Sequence, residues 1–181
     1  MRNTFITLIA PDLDESAAQR AARESEKYLI SNGYVSDSMT NCVLDSALGY
    51  PPGPRFSELF TEPPCSFGLT FNGVEVRATT IPGFHENGQD GFDVFCPSCG
   101  ARADMASWGR ALDGPYFDVT RTLVCPACKR EERLDRYIYR PYVGFARFWI
   151  TLWNTPPLRE DRLHELSDAA AASLRIVLGT R

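Results

Sequence analysis

Four of the six cysteines fall into two matching spacings. Cys96-Pro97-Ser98-Cys99-Gly100 and Cys125-Pro126-Ala127-Cys128-Lys129 lie 25 residues apart. Zn²⁺ takes four tetrahedral ligands, and thiolates suit it. Two residues between cysteines let one tight turn aim both sulfurs at one ion, with backbone N–H groups offsetting their charge. Pro97 and Pro126 fix φ early in each turn, and Gly100 can take a positive φ. Lys129 holds the equivalent place in the second turn, where it departs from that ideal. The expected metal ligands are Cys96, Cys99, Cys125 and Cys128, and the expected ion is Zn²⁺. Rubredoxin-like iron and a redox dithiol are the rival readings, and two copies in turn settings favour a metal.

The C-P-x-C-G form resembles the knuckles of zinc-ribbon proteins. The resemblance covers residues 92–130 and implies a small antiparallel ribbon with a closed metal site. It extends to no family for the whole chain.

Elsewhere the chemistry is sparse. The sequence has no phosphate-binding glycine loop, no dinucleotide fingerprint and no Gly-x-Ser-x-Gly. Of two histidines, His85 sits beside Glu86 in a glycine-rich stretch, and His164 lies in a helical pattern. Cys42 and Cys65 read as structural thiols, because nothing local marks either as activated. No catalytic residue is assigned; a non-enzyme is the favoured reading, and an enzyme whose site one sequence does not reveal stays open as a third.

Charge gives two candidate surfaces. The formal net charge is −4. Residues 1–90 carry 12 acids against 6 bases, whereas 91–147 carry 7 against 9. The acidic half suits a basic protein partner. After the second knuckle, Arg130, Arg133, Arg136 and Arg140 alternate with Tyr137 and Tyr139. That mixture can grip a nucleic-acid backbone and stack bases, although Glu131, Glu132 and Asp135 interrupt it. The expected function is a zinc-binding, non-enzymatic interaction module of adaptor, inhibitor or immunity type, cytoplasmic and bacterial. The alternative is a nucleic-acid-associated regulator using the basic ribbon. Residues 4–10 are too short for a signal peptide, no apolar run is long enough to span a membrane, and reduced thiols fit the cytosol.

The elements that must position these groups read as follows. Residues 4–10 form a buried strand. Asp12 caps a helix over 13–31, with Leu13, Ala17, Ala21, Ala22, Ser25, Tyr28 and Leu29 inward, and Asn32-Gly33 ends it. Residues 39–48 form a short helix or a strand and turn, 50–55 a proline-rich loop, and 56–60 a helical turn. Asn72-Gly73 makes residues 68–79 a hairpin with Leu69, Phe71, Val74 and Val76 on one face and Thr70 and Glu75 on the other, followed by a loop over 82–91. Strands at 92–95, 116–124 and 134–139 alternate with the knuckles, and Trp108 packs inward between them. A strand over 144–153 and a helix over 156–178 close the chain, echoing the strand–proline–helix order at its start. The expected fold is one α+β domain over 1–181: a mainly antiparallel sheet, two flanking helices and a zinc-ribbon insert at about 92–140.

Overall fold

A computed structural model describes residues 2–44, 48–64, 71–112 and 121–181. It is a mixed α+β fold with mainly antiparallel sheets. In chain order the elements are β1 (Thr4–Ala10), α1 (Glu15–Ser31), β2 (Val74–His85), β3 (Asp93–Phe95), α2 (Met105–Leu112), β4 (Thr122–Val124), β5 (Glu131–Arg133), β6 (Ile138–Arg140), β7 (Gly144–Trp153), α3 (Glu160–Ala170) and β8 (Arg175–Thr180). A 3₁₀ turn covers Phe56–Leu59, where the sequence predicted a helical turn.

The main sheet has the order β2-β7-β1-β8, with every neighbouring pair antiparallel. Leaving aside the segment between β2 and β7, the order is β-α-β-β-α-β. This is the split β-α-β, or ferredoxin-like, topology. In it β7 lies between β2 and β1, and each helix returns the chain across one face. The ribbon occupies the β2–β7 connection.

Both faces of this sheet are covered, which accounts for the apolar residues of β1 pointing to both sides, with Thr7 the one polar residue among its buried positions. Ile6, Leu8 and Ala10 face the helices together with Val74, Val76, Phe148, Ile150 and Leu152. The helices bring Ala18, Ala21, Ala22, Leu29, Leu166 and Ala170 to that core. Alanines let α1 approach the strands closely, so the helix needs no large side chain there. On the second face Ile9, Phe145 and Val177 join Val94, Trp108, Leu123, Leu134, Tyr137 and Tyr139 of the ribbon. Phe84 sits amid aromatic rings, with centroids 5.2 Å from Trp108 and 4.9 Å from Phe145.

Several boundaries differ from the sequence reading. The α1 cap is Asp14, not Asp12: its Oδ1 accepts the Ala17 N–H at 2.8 Å, so Ala18 rather than Ala17 is fully buried. Pro11-Asp12 is still turn. Gly33 ends the helix with φ +71°. No helix covers residues 39–44, and Thr40 bridges Gly49 instead. The outer arm of the expected hairpin, 68–70, lies outside the described residues. Its inner arm is β2, whose Val74 pairs with Leu152 on one side and with Tyr50 on the other. Glu75, on the face opposite Val74 and Val76 as expected, is 4% exposed, because that face is also covered.

β2 runs on through Pro82-Gly83, where a loop was expected, after an irregularity between Ala78 and Gly83. An edge strand tolerates proline because its outward N–H needs no partner. The chain then reaches the opposite sheet edge, where Thr180 donates to the Asn87 carbonyl at 3.2 Å and Gln89 donates to that of Thr180 at 3.0 Å.

The last helix is also shorter than expected. It runs Glu160–Ala170 and stops at Ala171, whose φ is +49°. Leu174, Val177 and Gly179 belong to the segment that returns as β8 along β1. The run Leu174-Arg175-Ile176-Val177-Leu178 fits period 2 as well as period 3.6. The open hydrogen-bonding edge of β1 decides for the strand.

Within the ribbon, one strand was expected over 134–139. Instead β5 pairs with β4, a 3₁₀ turn covers Leu134–Arg136, and β6 pairs with β3. Each knuckle closes its own short antiparallel arm. Residues 131–133, which the sequence reading leaves outside any strand, are therefore strand. Of the strand expected over 116–124, β4 covers Thr122–Val124, and 116–120 lies outside the described residues. Among the described residues no helix is long and apolar enough to cross a membrane.

Candidate metal centre

The two knuckles have the same backbone. In the first, Gly100 donates to the Cys96 carbonyl at 2.9 Å, and Cys96 donates to that of Ala101 at 2.9 Å. In the second, Lys129 donates to Cys125 at 3.0 Å, and Cys125 to Arg130 at 2.9 Å. Both turns end in a left-handed residue, Gly100 at φ +71° and Lys129 at φ +62°. The lysine thus adopts the glycine geometry despite its Cβ.

These turns bring all four sulfurs within 4.8 Å of one another. Cys96 Sγ lies 3.8 Å from Cys128 Sγ, and Cys99 Sγ lies 3.7 Å from Cys125 Sγ. A tetrahedron with metal–sulfur bonds of about 2.3 Å has edges of about 3.8 Å. The donor set therefore fits one tetrahedral soft ion, for which zinc and iron are the usual occupants. Cys96 and Cys125 are each 1% exposed, while Cys99 is on the surface.

Backbone amides prepare the site for anionic sulfur. The Cys125 thiol is lowered to about 6, chiefly by the amide of Cys128 and further by that of Ala127. At Cys99 the Ala101 amide pulls the same way. The neighbouring sulfurs and burial outweigh it, and the thiol is raised to about 11. Four thiolates packed this closely repel one another, so the set ionises fully only against a cation. Metal uptake therefore releases protons.

The predicted partner-binding residues divide into two groups. Tyr137 and Tyr139 are buried. The Tyr137 hydroxyl donates to the Leu123 carbonyl at 2.9 Å, and that of Tyr139 to Leu134 at 2.6 Å. Trp108 Nε1 donates to Tyr139 at 3.3 Å. These rings hold the ribbon together. Arg130, Arg133, Arg136 and Arg140 are exposed. Arg133 pairs with Asp135, and Arg140 lies over the Phe95 ring. Arg133 and Arg136 line a cleft of about 500 Å³ at the ribbon–sheet junction, together with Arg147 and Arg175 and opposed by Asp12 and Asp135.

Cys42 is buried beside Phe5, Val43 and Trp153. A Cβ on Gly73 would come within 2.2 Å of its sulfur, so the thiol packs as a small hydrophobe. Cys65 lies outside the described residues. His85 is folded against the Trp149 ring with centroids 4.6 Å apart. Sequence reasoning passed over a polar row on the second sheet face. Glu75, Thr151 and Thr7 are register neighbours on three adjacent strands and are 4%, 6% and 5% exposed. Their only signal was three polar residues inside strands whose flanking positions are apolar.

No protein-family model, no curated protein and no solved structure matches this chain.

Proposed function

We propose that this chain is a zinc-binding, non-enzymatic interaction module, cytoplasmic, in which the metal is structural. The carrying observation is the closed set of four sulfurs at tetrahedral spacing. Four protein ligands leave no open position for a substrate. The core behind the ribbon also supports a staple: Cys96 and Cys125 share one hydrophobic cluster with Ile9, Phe145 and Val177 of the main sheet. The metal thereby fixes a layer of the fold.

The partner is a basic protein surface. The outer side of the helix layer exposes Glu15, Glu24, Glu160, Asp161 and Asp168. Most of this charge is on α3, which carries Glu160, Asp161, Glu165 and Asp168 against Arg162, whereas the acids of α1 are matched by Arg20, Arg23 and Lys27. Purified protein is expected to carry one zinc and no iron by elemental analysis. Capture of a basic partner should weaken with salt and fail in the Glu160→Lys/Asp168→Lys variant. Capture that survives charge reversal rejects this surface.

The arginine-lined cleft favours a second reading, nucleic-acid binding. Arg147 already donates to the carbonyls of Thr80 and Leu13, and Arg175 lies over Tyr142. Arg136 is then the cation in the cleft most free to engage phosphate. Tight binding of single-stranded RNA or DNA that weakens steeply with salt and is lost in Arg136→Glu would favour this reading over the first.

A further inference from the structure

A second cleft, of about 410 Å³, lies on the ribbon-side face of the sheet, and no cysteine lines it. Its floor is the polar row Glu75–Thr151–Thr7, and its walls include Phe5 and Trp149. This is an unusual floor for the middle of a covered sheet. A carboxylate held at 4% exposure is costly unless its oxygens are satisfied. Glu75 Oε1 accepts the Trp153 Nε1–H at 2.9 Å, while Oε2 accepts no hydrogen bond among the described residues. Beside it, the hydroxyls of Thr151 and Thr7 are 3.1 Å apart. One donates to the other, which leaves one O–H of the pair free to donate.

The floor thus presents a strong acceptor and, one strand over, a spare donor. Neighbouring strands are about 4.8 Å apart, within reach of one small ring. The complementary edge carries an N–H donor next to an acceptor. The aromatic walls require that edge to belong to something flat. A guanidinium matches only half of it, because it has donors and no acceptor. His85 also lines the cleft, and burial keeps its ring neutral; the cations of the cleft are Arg77, which donates to the Leu48 carbonyl, and Arg181, 3.9 Å from Glu86.

We propose that this cleft is a binding site for a small planar heterocycle of nucleobase type, with an exocyclic amino group on Glu75 and the adjacent ring acceptor on the threonine pair. The site is separate from the metal centre and independent of the partner surface on the helices.

The probes are guanosine and cytidine, titrated into zinc-loaded protein. The readouts are calorimetry and the indole N–H resonance of Trp153, which reports on Glu75 directly. At least one probe is expected to bind saturably and move that resonance. Blocking the amino group, as in N4,N4-dimethylcytidine for cytidine, should abolish the effect. Glu75→Gln should weaken binding at least tenfold. Thr151→Val supplies a second variant that keeps the carboxylate, and it should weaken binding too. Amide spectra of the α1 and α3 residues check that each variant is folded. The proposal is overturned if neither nucleoside moves the Trp153 signal at millimolar concentration, if guanidinium binds as well as they do, or if both folded variants bind like the wild type.

Discussion

Lys129 occupies the place in the second knuckle that Gly100 has in the first, and both backbones are left-handed. A residue with a Cβ pays about 1 kcal/mol for that conformation. Lys129→Gly should therefore raise the stability of the metal-loaded protein, by at most about 1 kcal/mol because glycine also loosens the unfolded chain. Chemical denaturation checks it. His85 gives a prediction of the opposite kind. Burial lowers its pKa from 6.5 to about 4, against a hydrogen bond with the Ala146 backbone that pulls it up. The unfolded chain thus takes up the proton first as pH falls. The stability from keeping this ring neutral is complete above pH 6.5, declines on acidification and is gone near pH 4, a span of roughly 3 kcal/mol. His85→Gln should flatten the slope of stability against pH between 6.5 and 5.5. The cysteines were legible at this scale because metal geometry dictates their spacing. The burial of Glu75 was not, since a hairpin pattern tells which residues share its face but only the layer packed above shows that this face is covered.

Secondary structure was legible where a local signal had no rival. β1 and β7 lie almost where their apolar runs put them, and α1 ends at Asn32-Gly33 as glycine chemistry requires. The errors arose where two signals overlapped. Asp12 and Asp14 can both cap, and the structure uses Asp14. Asp14→Ala should cost about 1 kcal/mol, while Asp12→Ala should cost less, as paired thermal melts would show. The C-terminal segment was misread for the same reason. Its apolar residues satisfy a helix or a strand, and six register pairs with β1 settle it. Those pairs are long-range, so no window of the sequence contains them. The short ribbon strands were similarly blurred, because three-residue strands carry too little periodicity to fix their bounds.

At the scale of the molecule, sheet, helices and insert were foreseen, but the position of the insert was not. The ribbon lies on the face opposite the helices, and its core residues intermingle with Ile9, Phe145 and Val177 of the sheet. Metal removal is therefore expected to do more than fray a surface arm. Chelation should lower the melting temperature of the whole protein in one transition and reduce the near-ultraviolet signal of the buried Trp108. Two separate transitions, with the sheet unaffected, would show that the layers are energetically independent. The two margins of the main sheet have a different consequence. Tyr50 pairs with Val74 on one, and the turn at Gly88 lies along Thr180 on the other. A Cβ on Gly88 would meet the Thr180 carbonyl oxygen at 1.9 Å, and the glycine φ is +66°. Gly88→Val must push this turn away and uncover the β8 backbone next to Leu178, which is 61% exposed. Unpaired strand margins recruit other chains. The variant should self-associate with rising concentration in light scattering, so this glycine acts as a guard against aggregation.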